Sequence, residues 1–195
     1  MNVLDIIKTR RSIRKYLDKE VENEKLETVL LAGQYAPSGG NSQSTHFIVI
    51  KNKDKLSELV ALVQNEFSKM EYVEGMYKSL KSSIMQSKKG NYCFHYNAPV
   101  LIVVANKKGY GNAMADSACA LENMMLMARD LGLGSCWINQ LRWLNENESI
   151  VSYMNQLGLK DDETICGALS LGYYDGDLDS VGLLERKGNP ITYIE

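Results

Sequence analysis

The stretch from Ala113 to Trp137 constrains this chain more than any other, because its first part predicts a helix that is apolar almost all round. Asp116, Asn123 and Asp130 recur at intervals of seven and form one narrow polar stripe. A helix with so little polar surface is normally buried on most sides. Its first half is rich in alanine and its second half in methionine, an adaptable core residue. We therefore expect one face in the core of the subunit and another face against a second copy of the chain.

The remaining sequence alternates helical and strand patterns. Gly132 is free to adopt the positive φ that closes a helix, and it precedes a short apolar strand that begins at Leu133. Apolar runs predict further strands at 46–51, 99–105 and 164–171. Helical periodicity predicts helices at 2–9, 24–35 and 53–68, and another after a capping box formed by Asn145 and Glu148.

Three of these segments carry further expectations. In the first helix Val3, Leu4, Ile6 and Ile7 are predicted to point inward, and Asn23 is a candidate cap for the second helix. Residues 69–92 predict a mobile helical insertion, because helix formers are interrupted by Gly75 and followed by Gly90. We expect a single domain over residues 1–195, with a helical lid at about 69–92 and a C-terminal arm at about 176–195.

Composition excludes several classes of function. The net charge of −2 gives no global attraction to nucleic acid or to an anionic membrane. Neither a signal-peptide core nor an apolar run of about 20 residues is present. The four cysteines are far apart and form no C-x-x-C pair, which argues against a disulfide framework or a zinc site. We expect a cytoplasmic protein with no nucleic-acid or membrane partner.

The chain offers little catalytic apparatus of its own. His46 and His95 are its only histidines, and neither lies in a metal-ligand spacing or in a nucleophile elbow. Gly132 and Gly134 do not form a dinucleotide fingerprint, because that motif needs a strand before it and a helix after it. The catalytic chemistry therefore belongs to a bound cofactor, or the chain has none, and we expect no metal site.

The placement of arginine favours a cofactor that carries phosphate. The chain has 16 lysines and only 6 arginines, yet Arg10, Arg11 and Arg14 lie within five residues, with Ser12 among them. A guanidinium group holds phosphate in a fixed bidentate geometry, and the serine adds a hydroxyl donor. Arg186 and Lys187 supply a second cationic pair late in the chain. Taken alone, the first group is equally well explained as a solvated basic turn, and the second is better explained as an exposed charged turn.

Two loops could accommodate a flat polar heterocycle. Residues 37–43 combine small residues with the amides of Asn41 and Gln43, which both donate and accept hydrogen bonds. Residues 133–137 place backbone N–H groups, which the absence of a side chain at Gly134 leaves accessible, beside Trp137. Read separately, the first is an ordinary loop and the second is a helix end that leads into a core strand.

Taken together, these pieces resemble the FMN-dependent nitroreductase family. The R-R-S-x-R motif, the A-P-S-G-G-N-S-Q loop, the buried helix that ends in G-L-G-S-C-W and the late Arg-Lys follow that family's order and approximate spacing. The resemblance covers essentially the whole chain. It implies an α+β fold, a nitroreductase-like three-layer α/β/α sandwich with a mixed, mainly antiparallel central sheet flanked by helices, in an intertwined homodimer.

The resemblance also implies a set of cofactor-binding residues, and the reaction itself takes place at N5 of FMN without a catalytic side chain. The FMN phosphate and ribityl chain are assigned to Arg10, Arg11, Ser12, Arg14, Arg186 and Lys187. The loop that reaches the flavin across the dimer interface is assigned Pro37, Ser38, Asn41 and Gln43. The segment beside the isoalloxazine ring is assigned Gly134, Ser135 and Cys136.

This sequence departs from the family pattern at two places. Many relatives have Pro-Trp after the loop glutamine, whereas Ser44 and Thr45 follow Gln43 here, so the shape of the loop is open. His95 stands where relatives often present a polar side chain to flavin or substrate, and it is a candidate substrate contact whose role is open.

The implied activity is an NAD(P)H-dependent oxidoreductase with FMN as cofactor. It takes hydride from NAD(P)H and reduces electron-poor small molecules such as nitroaromatics or quinones by a ping-pong mechanism. A flavin-binding protein for storage or sensing, without turnover, is the rival from another class. A flavin-dependent dehydrogenase or dehalogenase is possible on the same fold. The sequence does not distinguish NADH from NADPH.

Overall fold

The computed structural model describes residues 2–180 and 182–195, and a four-stranded sheet lies at its centre. The strands are β1 (His46–Ile50), β2 (Val100–Lys107), β3 (Gly134–Ile138) and β4 (Glu163–Gly172), in the order β1-β2-β4-β3. Each neighbouring pair is antiparallel. A parallel bridge between Ser12 and Ser135 adds the N-terminal segment to the outer edge of β3. The predicted mixed, mainly antiparallel sheet is confirmed.

Helices cover both faces of this sheet. They are α1 (Val3–Thr9), α2 (Asn23–Gln34), α3 (Lys53–Ser68), α4 (Lys78–Lys88), α5 (Ala113–Asp130), α6 (Gln140–Trp143) and α7 (Glu148–Gln156). Side chains of β2 alternate between the two faces, as the pleat of a strand requires. Leu101 and Val103 join a core formed with α3, α4, α6 and α7, whereas Ile102 and Val104 join a core formed with α2 and α5. The predicted three-layer arrangement is therefore confirmed.

Two predicted helix caps are wrong, and α6 was not predicted at all. The cap of α7 is Asn147, whose side chain accepts a hydrogen bond from the Ile150 N–H at 3.1 Å. Asn145 instead donates to Thr164 Oγ1 at 3.1 Å. Asn23 lies inside α2, which begins after Glu22. The sequence offers two asparagines near the start of α7, and the contact with β4 decides which of them caps the helix.

Helix α5 is buried over most of its length and ends as predicted. Gly132 has φ of 72°, and the Leu133 N–H donates to the Ala128 carbonyl at 2.7 Å, which closes the helix with a Schellman motif. Two residues of its polar stripe do not face solvent, because Asn123 donates to the Ala32 carbonyl at 3.1 Å and Asp116 is buried, whereas Asp130 is exposed. The expected core face is confirmed.

A different face of α5 is left open in the subunit. Ala115, Cys119 and Glu122 are exposed there, and Ala118 is half-buried. Helix α1 continues this open surface: Val3, Leu4 and Ile7 are exposed, and only Ile6 is buried. The prediction that all four point into the subunit is wrong, because the subunit itself does not cover the outer side of α1. The contact with a second copy stays a prediction.

The segment 69–92 is helical only in its second half. Ile84 of α4 is fully buried in the core, and Tyr92 Oη accepts a hydrogen bond from Gln140 Nε2 at 2.8 Å. Tyr72, Val73 and Tyr77, which precede α4, are exposed. The lid stays a prediction, for residues 69–77 and not for α4, which the core holds in place.

After the bridge at Tyr174, residues 175–180 and 182–195 of the C-terminal arm form no helix or strand, and residues 182–195 are exposed. Within residues 2–180 and 182–195, each helix is too short or too polar to cross a lipid bilayer.

Candidate functional site

The N-terminal arginine segment, residues 10–14, lies directly against β3. The Ile13 N–H donates to the Ser135 carbonyl at 2.9 Å. A Cβ at Gly134 would lie 2.8 Å from Ile13 Cγ2, so only glycine permits this approach. The fold thus brings Ser12 and its flanking arginines together with Gly134, Ser135 and Cys136, as the sequence predicted for one site.

Two arginines of this segment have buried nitrogens that lack hydrogen-bond partners. Arg10 Nη1 and Arg11 Nε are in this state within the described residues. Arg11 is otherwise fixed by backbone carbonyls, with Nη1 donating to Lys8 O at 2.9 Å and Nη2 donating to Gly182 O at 2.5 Å. Unpaired buried donors are costly, and a multivalent anion satisfies several of them at once. The donor set therefore fits a phosphate group.

Arg14 is exposed and stacks on an aromatic ring that the sequence analysis did not select. Its Cζ lies 5.7 Å from the centroid of the Tyr96 ring. Tyr96 and Asn97 both have left-handed backbone, with φ of 58° and 57°. A bulky residue rarely adopts this conformation, and such strain clusters at functional sites. No sequence pattern predicts it, because it depends on how the turn after Phe94 meets the arginine segment.

Cys136 lines the β3 side of this group of residues as a neutral thiol. Burial raises the pKa of its thiol, although Arg14 and Ser12 act in the opposite direction. Its side chain is 2% exposed. A raised pKa leaves little thiolate at neutral pH, so Cys136 lines the site as a neutral thiol and does not act as a nucleophile.

The loop of residues 37–43 forms the wall of a separate cavity. Its centre is a 3₁₀ turn at Gly39–Asn41, and its backbone is left-handed at Gly40, Asn41 and Gln43, with φ of 59°, 54° and 49°. Pro37, Ser38, Asn41 and Gln43 line a cavity of about 790 Å³ together with residues of α2 and β1. The four predicted loop residues therefore share one concave surface.

The residues that replace Pro-Trp attach the end of this loop to the sheet. Ser44 Oγ donates to Asn106 Oδ1 at 2.8 Å, and Asn106 Nδ2 donates to Thr45 Oγ1 at 3.3 Å. Next to them, His46 Nδ1 lies 2.8 Å from Glu163 Oε2. Burial alone would raise the pKa of Glu163, but hydrogen bonds from His46 and from the Lys160 N–H hold it below the usual value. Hydrogen bonds thus attach the end of the loop to the sheet.

Within one subunit the loop and the arginine segment contact different parts of α5. Asp116 contacts the loop, whereas Arg10 Nε lies 3.9 Å from Glu122 Oε1 and Arg129 Nε donates to Thr9 Oγ1 beside the arginine segment. At the rise of an α-helix, Glu122 is about 9 Å and Arg129 about 20 Å along α5 from Asp116. Arg186 and Lys187 are exposed in the C-terminal arm, and no described contact joins them to the arginine segment. The predicted residues thus form three separate groups in one chain.

His95 lies in a different cavity from the other predicted residues. It is 5% exposed and lines a space of about 510 Å³ with side chains of α3. Its Nδ1 has no hydrogen-bond partner within the described chain, and burial lowers its pKa to about 4. The imidazole is therefore neutral at physiological pH. In the described ranges, acidic, cysteine and histidine side chains do not gather into a group of three that could hold a metal ion.

Comparison with known proteins gives a consistent result. A family model described as the Nitroreductase family matches residues 7–173. A protein of Archaeoglobus fulgidus, named provisionally as an NADH dehydrogenase/NAD(P)H nitroreductase, is 30% identical over 181 residues, which cover 90% of this chain and 87% of that protein.

Solved structures extend the likeness over the whole chain. A nitroreductase with bound FMN from Bacteroides fragilis is 35% identical, with a TM-score of 0.84 and full coverage of both chains. A nitroreductase with bound FMN from Desulfitobacterium hafniense is 26% identical, with a TM-score of 0.82 and full coverage of both chains.

Proposed function

The chain belongs to the nitroreductase family, and we propose that it is an FMN-binding oxidoreductase that takes hydride from NAD(P)H and reduces electron-poor acceptors such as nitroaromatics or quinones. The observation that carries this proposal is the pair of buried, unpaired guanidinium nitrogens at Arg10 and Arg11. They adjoin Ser12 and lie beside the glycine-permitted backbone of β3. The FMN found in two structural relatives carries the phosphate that this donor set requires.

Each group of residues has a role in holding the cofactor. Arg10, Arg11, Ser12 and Arg14 would bind the phosphate and ribityl chain, and Arg186 and Lys187 would join them from an arm. Gly134, Ser135 and Cys136 would lie beside the flavin ring, where backbone N–H groups favour negative charge. Bound FMN would supply the redox chemistry, which is acceptance of hydride from NAD(P)H and delivery of two electrons to the acceptor. The protein's contribution is binding, orientation and access.

The active form that we propose is an intertwined homodimer with flavin sites at its interface. Three features support it: the open face of α5, the exposed apolar side of α1, and the contacts of the loop and the arginine segment with different parts of α5 in one chain. The C-terminal arm exposes Leu184, Ile191 and Ile194, which a monomer would leave in water. A second copy would cover these surfaces and place its own loop, Pro37, Ser38, Asn41 and Gln43, at the first subunit's flavin.

The function is tested on the purified full chain. We expect a yellow protein with one FMN per subunit, whose flavin absorbance bleaches promptly when NADH or NADPH is added without oxygen and returns when a nitroaromatic is added. Retention of flavin without bleaching by either nucleotide would support the rival, a storage or sensing protein. Failure to bind FMN at all would contradict the proposal. Comparison of the two nucleotides in the same assay gives the preferred reductant.

The shared site is tested by mixing two defective subunits that carry different affinity tags. One subunit carries Arg10→Ala with Arg11→Ala, and the other carries Ser38→Ala with Asn41→Ala. If the loop serves the partner, the mixed dimer has one intact site and binds half the wild-type amount of FMN at wild-type affinity. If each site belongs to one chain, the mixed dimer has no intact site, and the proposed architecture is wrong. The cytoplasmic location stays a prediction.

A further inference from the structure

The loop of residues 37–43 has a backbone that its own sequence does not stabilise. Two non-glycine residues, Asn41 and Gln43, have left-handed φ on either side of Ser42. Its internal backbone hydrogen bonds are few: the Asn41 N–H donates to Ser38 O at 2.9 Å, the Ser42 N–H donates to Gly39 O at 3.2 Å, and the Gln43 N–H donates to Ser38 Oγ at 3.1 Å. Such conformations persist only where the surroundings determine them. The loop therefore needs an anchor outside itself.

Asp116, in the first turn of α5, is that anchor. Its carboxylate is almost fully buried and accepts the Gly39 N–H at 3.1 Å and 3.3 Å through its two oxygens. The hydroxyl of Tyr110 lies 2.9 Å from Asp116 Oδ2 and 3.1 Å from the Gly39 carbonyl oxygen. Asp116 thus holds the Gly39 N–H, and the single Tyr110 hydroxyl proton is shared between the carboxylate and the Gly39 carbonyl. A carboxylate that accepts a backbone N–H makes a stronger hydrogen bond than a neutral acceptor does.

Side chains before and at the start of α5 also pack closely against Gly39. A Cβ at this position would collide with Asn112 Nδ2 and would lie 2.7 Å from Tyr110 Oη. A side chain at Gly39 would therefore require the ends of Asn112 and Tyr110 to move, which would disturb the contact of Tyr110 with Gly39. By contrast, a Cβ at the nearby Gly111 would meet nothing within 4 Å. The two glycines are close in space to the same helix start, and only one of them is part of the anchor.

We propose that Asp116 is a positioning residue, which with Tyr110 holds Gly39 so that the loop is preformed to contact FMN bound to the partner subunit. This inference rests on the proposed function. Asp116 acts through the loop: its carboxylate oxygens are committed to Gly39 and Tyr110. A loop that is already ordered loses less conformational entropy when the cofactor binds, so it binds more tightly. The polar stripe of α5 thereby has a function that a solvated helix face would not have.

The test measures FMN affinity of the full-length protein by titration of the apo-protein. Asp116→Leu removes the carboxylate that accepts the Gly39 N–H. Gly39→Ala adds a methyl group where Asn112 and Tyr110 leave no room. Each is expected to weaken FMN binding about 10-fold, the effect of losing one charge-assisted hydrogen bond that orders the loop. Asp116→Asn keeps one carbonyl oxygen for the Gly39 N–H and should weaken binding less than about 3-fold. Gly111→Ala is the matched control and should bind like wild type.

A double-variant comparison separates positioning from general stability. Asp116→Leu combined with Gly39→Ala should be no weaker than either alone, because both break the same contact. Asp116→Leu combined with Arg10→Ala should show the product of the two fold-changes. The thermal midpoint of the apo-protein and the dimer mass are measured on the same samples. Unchanged FMN affinity in Gly39→Ala, or a loss that only tracks the thermal midpoint, would overturn the inference.

The outcome also separates this inference from the proposed function. If wild type binds no FMN, the proposed function fails. If wild type binds FMN and Gly39→Ala binds it equally well, only the positioning role fails. If Asp116→Leu does not fold, the contrast between Gly39→Ala and Gly111→Ala still decides the question, because both changes add the same methyl group and leave the Asp116 side chain in place.

Discussion

The two layers on either side of the sheet differ in how completely one subunit closes them. The layer of α3, α4, α6 and α7 surrounds a core in which Leu59, Phe67 and Ile150 are fully buried. The layer of α2 and α5 has a comparable core beneath it but leaves apolar residues on its outer side. Leu4 of α1 is 56% exposed, and Tyr35 after α2 is 80% exposed. A single chain covers the apolar residues of the first layer, whereas it leaves apolar residues of the second layer exposed to solvent.

This difference indicates where function is placed. The arginine segment, the loop of residues 37–43 and the C-terminal arm all adjoin the open layer or extend from it. The open layer also holds the unpaired guanidinium nitrogens. A surface that needs both an apolar cover and an anion is expected to receive a second subunit and a phosphate-bearing cofactor. The closed layer is expected to contribute stability.

The largest predicted effect tests whether the open layer is a subunit interface. Ala118→Arg places a cation on the small-residue face of α5, where an unpaired buried charge would cost several kcal/mol. We expect the dimer to dissociate and FMN to be lost together, since the partner's loop leaves the site. Ala61→Arg, on the exposed side of α3 in the closed layer, is the control and should change neither property. Light scattering and flavin absorbance are read on one sample.

A monomeric Ala118→Arg variant that keeps full FMN would contradict the proposed role of the open layer as a subunit interface that completes the cofactor site. It would show that the open layer completes its own cofactor site and that its apolar surface has another use. A dimeric variant with normal FMN content would place the interface elsewhere.

The second effect concerns the phosphate contacts. Arg10→Ala removes charge-assisted hydrogen bonds worth about 1.5–3 kcal/mol, so FMN affinity should fall roughly 10- to 100-fold. Arg186→Ala should have an effect of the same order if the arm closes over the phosphate. Titration of apo-protein measures both. If neither variant changes affinity, the phosphate lies elsewhere. If only Arg10→Ala does, the arm does not reach the site.

Much of the fold was predictable because local patterns and long-range packing agree. Helix α3 has the predicted bounds, since Asn52 caps it and Leu56, Leu59 and Val63 share its inner face. Gly132 ends α5 as predicted, because the positive φ has a strictly local cause. The arginine segment and residues 134–136 were correctly expected to meet.

The errors arise where the cause lies outside the local sequence. The apolar residues of α1 predicted an inward face, but periodicity does not say which chain covers a helix. Asp116 was read only as part of a polar stripe, because its contact with Gly39 joins residues 77 positions apart. Tyr96 carried no pattern, since its left-handed backbone is set by tertiary contacts.

The third effect probes the closed layer through pH. Burial lowers the pKa of His95 to about 4, so the unfolded chain takes up a proton near the ordinary value of 6.5 while the folded protein does not. The stabilising effect of a neutral His95 is therefore complete above pH 6.5 and is lost as pH falls towards 4. Between about pH 7.5 and about pH 5, the free energy of unfolding of wild type should fall by about 2 kcal/mol because of His95. This part of the decrease should be absent in His95→Phe.

Denaturant unfolding of the apo-protein at both pH values measures this difference, with His46→Gln as the control for the other histidine. An identical pH dependence in wild type and His95→Phe would show that the imidazole is hydrated or paired in solution. Water or a polar group would then reach His95 inside the closed layer.

The smallest effect concerns the one part of the closed layer that is itself open, residues 69–77. Tyr77 is 64% exposed and packs edge-on against Trp143, with ring centroids 6.0 Å apart. If this segment is a lid, Tyr77→Ser should leave FMN affinity unchanged and alter the kcat/KM ratio of a bulky to a small nitroaromatic by about 3- to 10-fold, or roughly 1 kcal/mol. Lys78→Ser, at another exposed residue on the first turn of α4, is the control. We prefer a substitution at Tyr77 to a deletion that includes α4, because the deletion would remove Ile84 from the core and destabilise the fold. An unchanged ratio would mean that acceptor choice is made entirely within the open layer.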